Sequence, residues 1–313
     1  MLRRNVSRRA SFLAVFGLAA LVAATGSCFC MVTPAWAQTQ GIEEVTSPSI
    51  AAVESARTAQ LVARQLAANP DILVLDFPTL EQQGLMFNRV VAMIERQGAP
   101  RERVLSDQEL AELIRSVGRR TATFAFGNDF RVSELVKFYN LAEEGAVELN
   151  GEETRLKSFL EAKGYMRRKF GFYNHIHPDR VILSLPQEAG ADGPDRVVIT
   201  HTTRNAILRH EVAHGEFYAN DDYAGYCERF WANVLTDEER KAFRAFLVTK
   251  NYDPNNEELM INETQAYLLH TPDPNVFSAA KVKLTQAAVD ALRAKFWAGN
   301  PPSRLFRSER QGG

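Results

Sequence analysis

The sequence predicts an α+β fold, mostly helical, in which a small sheet precedes a helix carrying the motif HEVAH and a second helix follows it. Three observations carry that prediction. Apolar residues recur at three- and four-residue steps over much of residues 49–162. The texture turns strand-like between residues 165 and 202, and helical periodicity returns from Thr203 onward. With 313 residues, 45% apolar and 24% charged, the chain can form one large domain or two small ones around a substantial core.

The first residues are of another kind. Four arginines and no acidic residue precede and open an apolar run from Phe12 to Ala24, and small residues lead to "TPAWAQ". This is the charged start, apolar middle and small-residue exit of a signal peptide over residues 1–37, cleaved after Ala37. The alternative is a retained anchor, but the unbroken apolar run is too short to span a bilayer, so no stable membrane span is expected after cleavage. "SRRASFL" resembles a twin-arginine signal with Phe12 one place late, which leaves the Sec route equally open. Cleavage would take the net charge from −1 to −5 and leave Cys227 as the one cysteine. A nucleic-acid surface and an internal disulfide are both excluded for such a chain.

The elements follow in order. "SIAAVESARTAQLVARQLAAN", residues 49–69, reads as an alanine-rich helix, and "DILVLDFP" as a strand or buried loop. Helices are expected at Thr79–Arg96, at Ser106–Arg115 behind an "SDQE" capping box, at Ser133–Glu144 and at Glu152–Ala162. "YMRRKFGFYNHIHPDRVILSLPQ" and "DRVVITHT" read as strands around the turn-rich "EAGADGPD". Further helices are expected near 203–219, 221–234, 236–249, 256–270 and 284–297. The front half is thus expected to be all-helical, with a composition shift near residue 150, and the tail "GNPPSRLFRSERQGG" to be loosely held.

Chemistry concentrates at "ILRHEVAHGEF". Four residues of helix put His210 and His214 about 40° apart and about 6 Å along the axis, so both imidazoles can reach one ion. Glu211 lies about 100° round from His210, beside that ion, where it can take a proton from water. On this helix Ile207, His210, His214, Phe217 and Tyr218 share one face, Leu208, Val212, Gly215 and Ala219 another, and Asn205, Arg209 and Glu216 the polar side. A buried histidine pair needs partners; a metal supplies them, and so does an ordinary hydrogen-bonded core.

A third ligand is available on "EELMINETQAYLLH", where Leu259, Glu263, Ala266, Tyr267 and His270 share a face. An inward carboxylate amid Leu259, Met260 and Ala266 is costly unless it binds a cation or an arginine such as Arg209. The metzincin pattern is out, because Phe217 and Asn220 stand where its glycine and third histidine belong. HEVAH followed 49 residues past His214 by "NETQAY" resembles the gluzincin, or thermolysin-type, zinc metallopeptidases over residues 195–270.

That resemblance implies His210, His214 and Glu263 as ligands of Zn2+ and Glu211 as general base. It also implies an edge strand beside the motif helix to hold extended peptide, a place "RVVITHT" would fill. One departure is Tyr267, where thermolysin-like enzymes carry an aspartate that orients a histidine. Tyr267 and His270 are the first candidates for an oxyanion donor, with Tyr218, Tyr223 and His201 also open. A rival pair, His175 and His177 with His201 and Asp179, has the spacing of some peptidoglycan-cutting enzymes, though a polar turn closed by Pro178 accounts for it as well. Cys227 reads as a small core residue rather than a nucleophile.

The chain divides accordingly into a signal peptide (1–37), a helical N-terminal region (38–150), a zincin-like metallopeptidase region (151–298) and a flexible tail (299–313). The function expected is a periplasmic or secreted zinc peptidase acting on a peptide or protein, peptidoglycan peptides included. The alternative is a non-catalytic envelope protein whose metal only joins two helices.

Overall fold

Three strands besides the one read at "DILVLDFP" lie in a front half expected to be all-helical. The computed structural model describes residues 41–47 and 49–306, so the expected signal peptide and its cleavage point lie outside them. Strand β1 (Glu43–Ser47) and a short helix α1 (Ile50–Ser55) come first. The chain then turns extended and forms β2 (Val62–Leu66) and β3 (Ile72–Phe77). The long helix read at 49–69 is therefore corrected. Alanine favours helix locally, but "NPD" at residues 69–71 makes a turn, and β2 pairs antiparallel with β3 across it.

Helices α2 (Leu80–Ile94) and α3 (Asp107–Ser116) follow, the latter closed by the Ser106–Glu109 capping box as expected. A four-residue strand β4 (Asn128–Arg131) runs directly into α4 (Val132–Glu144), and α5 (Gly151–Ala162) starts at the Asn150 cap. A hairpin, β5 (Met166–Lys169) and β6 (Phe172–His175), precedes β7 (Val181–Pro186). The remainder is helical: α6 (His201–Ala219), α7 (Asp221–Asn233), α8 (Asp237–Val248), α9 (Glu257–His270) and α10 (Gln286–Ala298).

The main sheet has the order β1-β2-β3-β7-β4. β3 and β7 are parallel and wholly buried, and β4 closes one edge antiparallel to β7. Alternation along β3 sends Leu73, Leu75 and Phe77 into a core with α2, α4 and α5, and Ile72 and Val74 into a second core with α6. A third core joins α7, α8, α9 and α10. Because β7 lies between β3 and β4, strands from both sides of residue 150 share one sheet, and the described residues pack as a single unit. The expected strand at 196–202 is also corrected: this stretch makes an isolated bridge from Ile199 to Ala189, and the sheet edge belongs to β4.

Helix α6 is pinned at both ends by buried charge. Near its start Arg204 bonds Asp76 of β3 at 3.1 Å and the carbonyl oxygens of Pro186 and Val53. Asp76 also accepts from Arg64 and Gln187, so both its oxygens are occupied. Near its end Glu216, expected on the polar side of the helix, is fully buried. It accepts from Asn69, Asn220 and the backbone N–H of Arg304. The tail is thus not loose through residue 306: Phe306 is buried and stacks on His270 at 3.9 Å. Among the described residues no helix is long and apolar enough to cross a membrane.

Candidate metal centre

Helices α6 and α9 lie side by side and bring the expected groups together. His210 Nε2 and His214 Nε2 are 3.1 Å apart, and Glu263 Oε2 lies 3.5 Å from the first and 3.7 Å from the second. A tetrahedral divalent ion with bonds of about 2.0–2.1 Å needs ligand atoms about 3.3–3.4 Å apart, which this trio meets closely. All three residues are buried, and Glu263 Oε2 has no hydrogen-bond partner among the described residues. A buried carboxylate oxygen without a donor is costly, and a cation at this point removes the cost. These buried histidine and glutamate groups can hold a metal ion.

The rear of each ring is fixed. His210 Nδ1 lies 2.9 Å from Thr271 Oγ1, and His214 Nδ1 lies 2.9 Å from Asn262 Oδ1. An acceptor behind Nδ1 selects the tautomer that leaves Nε2 free to bind. Asn262 belongs to the Asn-Glu pair visible in the sequence; Thr271, just past the end of α9, carries no sequence signal of its own. Burial drives the His214 imidazolium down to a pKa of about 4, the Glu263 carboxylate opposing and His210 reinforcing the shift. For Glu263 burial pulls upward, but His214, His210 and the Tyr252 hydroxyl outweigh it and hold the carboxyl below its ordinary range. A neutral His214 imidazole beside an ionised Glu263 carboxylate is a charge state that favours a cation.

Glu211 stands beside the trio, buried, with Oε2 unpartnered among the described residues. Burial, then the negative charge of Glu263, then Glu95, raises its carboxyl well above the usual range. Its other oxygen rests against the backbone at Gly127, where a Cβ would overlap Oε1, so any larger residue there would force the carboxylate to move. Gly127 leads directly into β4, and Asp129 of β4 lies close enough to Glu211 and His214 for their donor atoms to fall within 4.8 Å of one another. Burial and the neighbouring Glu211, Glu95 and Glu263 raise the Asp129 carboxyl as well. Glu95, at the end of α2, is raised to about 8 by burial, with Arg96 opposing and Glu263 adding to the shift.

The aromatic candidates separate cleanly. The Tyr267 ring lies 4.5 Å from that of His210, and burial with Glu263 nearby raises its hydroxyl pKa, so it remains a proton donor. Tyr252, unremarked in the sequence, faces both Tyr267 and Glu263. Tyr218 stays neutral for the same reason of burial, near Asp129 and with Arg131 4.6 Å over its ring.

His270 faces elsewhere: it stacks on Phe306, approaches Trp297 edge-on, and lies 3.3 Å from the Tyr223 hydroxyl. His201 opens α6 about 13 Å along the axis from His210 and meets Glu188 and Glu54 at the surface. His175 and His177 are exposed, and no metal-holding group among the described residues includes them. Cys227 is buried, and burial pushes its thiol up, away from nucleophilic use. No protein-family model matches the chain, and no curated protein or solved structure matches it.

Proposed function

We propose that the chain is an exported zinc-dependent peptidase in which His210, His214 and Glu263 hold the metal and Glu211 is the general base. The observation that carries this reading is the unpartnered, buried Glu263 Oε2 facing two imidazole nitrogens, with the unpartnered Glu211 Oε2 beside them. Two imidazoles and one carboxylate with room for a further ligand are a set that suits zinc in hydrolytic sites. When bound, the ion supplies Lewis acidity, polarising a carbonyl and bringing water's pKa to about 7.

The chain's own residues do the rest. Thr271 and Asn262 keep the imidazoles aimed, and Gly127 lets Glu211 lie close against the backbone. Glu211 takes a proton from the attacking water at its free oxygen and returns it to the leaving amine. The protonated Tyr267 hydroxyl is the donor available to a developing oxyanion. The outer edge of β4 has no partner strand among the described residues, and an extended peptide, from a protein or from peptidoglycan, adds to such an edge. Export rests on the arginine-rich, apolar start at residues 1–37.

The second reading, a metal that only staples α6 to α9, needs a fourth protein ligand, and Asp129 is within reach. Metal analysis of purified protein should give about one zinc per chain. His214→Ala should lose it, while Glu211→Gln should retain it and lose hydrolysis by about 10²–10⁴-fold. Folded protein that refuses added zinc ends the proposal. Zinc lost from Asp129→Asn, with no peptide cleaved by the unaltered chain, selects the staple.

A further inference from the structure

The β5–β6 hairpin carries an apolar tip that stays exposed among the described residues. Its register pairs Lys169 with Phe172 across a two-residue turn, Phe170–Gly171. Both turn residues have positive φ, 56° and 89°. A turn with both central residues left-handed favours Asn-Gly, and a bulky aromatic in the first position is strained by about 1 kcal/mol or more. Phe170 is nonetheless there, 87% exposed, with Phe172 65% exposed beside it and Ile176 partly exposed beyond. Strain and exposure together set this aromatic apart from packing residues.

The flanking charge is of one sign. Arg167, Arg168 and Lys169 precede the tip in a chain whose formal net charge is −1. Residues paired across the hairpin share a face, so Arg167, Lys169, Phe172 and Asn174 point to one side, opposite Met166, Arg168 and Tyr173. Arg168 is engaged with Glu143 and Tyr173 on the inner side. Arg167 and Lys169 have no acidic partner among the described residues, and the Lys169 ammonium lies 5.0 Å from the Phe170 ring.

We propose that this hairpin is a docking point for an anionic lipid surface, with Phe170 and Phe172 entering the headgroup boundary and Arg167 and Lys169 meeting the lipid phosphates. Exposed aromatics ringed by cations suit that boundary, where the rings leave water and the cations keep both hydration and counter-charge. A soluble polyanion would satisfy the cations but gives the strained Phe170 no role, and an apolar protein groove gives none to Arg167 and Lys169. The proposal is independent of the metal site.

The test is sedimentation of the purified chain with vesicles of phosphatidylcholine alone or mixed with phosphatidylglycerol. Binding is expected to the mixed vesicles only. Phe170→Asn should weaken it about tenfold, and Arg167→Glu and Lys169→Glu about fivefold each or more. Asparagine suits the left-handed turn, so Phe170→Asn should melt at the same temperature as the parent or above it, which separates lost docking from lost folding. Equal binding to both vesicle types, no binding to either, or binding indifferent to Phe170→Asn and abolished by heparin would each overturn the proposal.

Discussion

Buried carboxylates at the ends of α6 and at its middle are treated differently. At the ends, Asp76 accepts from Arg64, Gln187 and Arg204, and Glu216 from Asn69, Asn220 and the Arg304 backbone, so every oxygen has a donor. At the middle, Glu211 and Glu263 are buried to a similar degree, yet each leaves an oxygen without a donor. A fold able to saturate the carboxylates at the two ends of α6, Asp76 of β3 and the helix's own Glu216, leaves two others open at its middle, Glu211 and, from α9, Glu263. The first pair holds the helix in place; the second waits for a cation and a proton.

Four substitutions press on that contrast. The largest effect is expected for Asp76→Ala, which strands Arg204 and Arg64 without their shared carboxylate and should lower unfolding free energy by about 3–5 kcal/mol in urea titration. Glu211→Gln, by contrast, replaces a buried carboxyl that has an unpartnered oxygen and should leave the urea midpoint unchanged or raise it. Equal destabilisation by both would break the comparison.

Gly127→Ala places a methyl group where Glu211 Oε1 now lies, and the carboxylate must move. Hydrolysis should fall about 10²-fold with metal content intact, since a displacement of about 1 Å is enough to misplace a base. The smallest effect concerns Glu153 of α5, which is bonded to Arg89 and to the Asn150 N–H, yet is raised to about 7 because burial outweighs both. Its folded form holds a proton more tightly than its unfolded form, so its contribution is full below about pH 4.5 and is lost as pH rises through 7. Glu153→Gln should flatten that part of the stability–pH curve, read as urea midpoints from pH 4.5 to 8.

The helices were legible where local signals agreed, as in the Ser106–Glu109 box of α3 and the Thr79 start of α2. β2 was not, because Val62–Leu66 owes its strand to pairing with β3 rather than to its own alanine-rich surroundings. β4 is four residues long, too short to show a period, and its place as the edge beside α6 depends on β7, some fifty residues on. His210, His214 and Glu263 announced themselves through spacing within two helices. Asp129, Glu95, Tyr252 and Thr271 come to the centre from separate segments, and Gly127 matters through one close contact, so no window of sequence contains them. His270 shows the limit of reading a helix face: it shares the stripe of Glu263 but, two turns on, serves the tail instead.

That tail has a consequence for how the protein is made. Residues 303–306 tie back to α6 through Glu216, 88 positions earlier in the chain, and cover His270 beside the residue that steadies His210. Until synthesis has passed Phe306, both ligand-bearing helices lack a wall, and early metal capture meets an unfinished cradle. Nascent chains halted at Gly299 should therefore release zinc to a chelator faster than chains carried through Phe306.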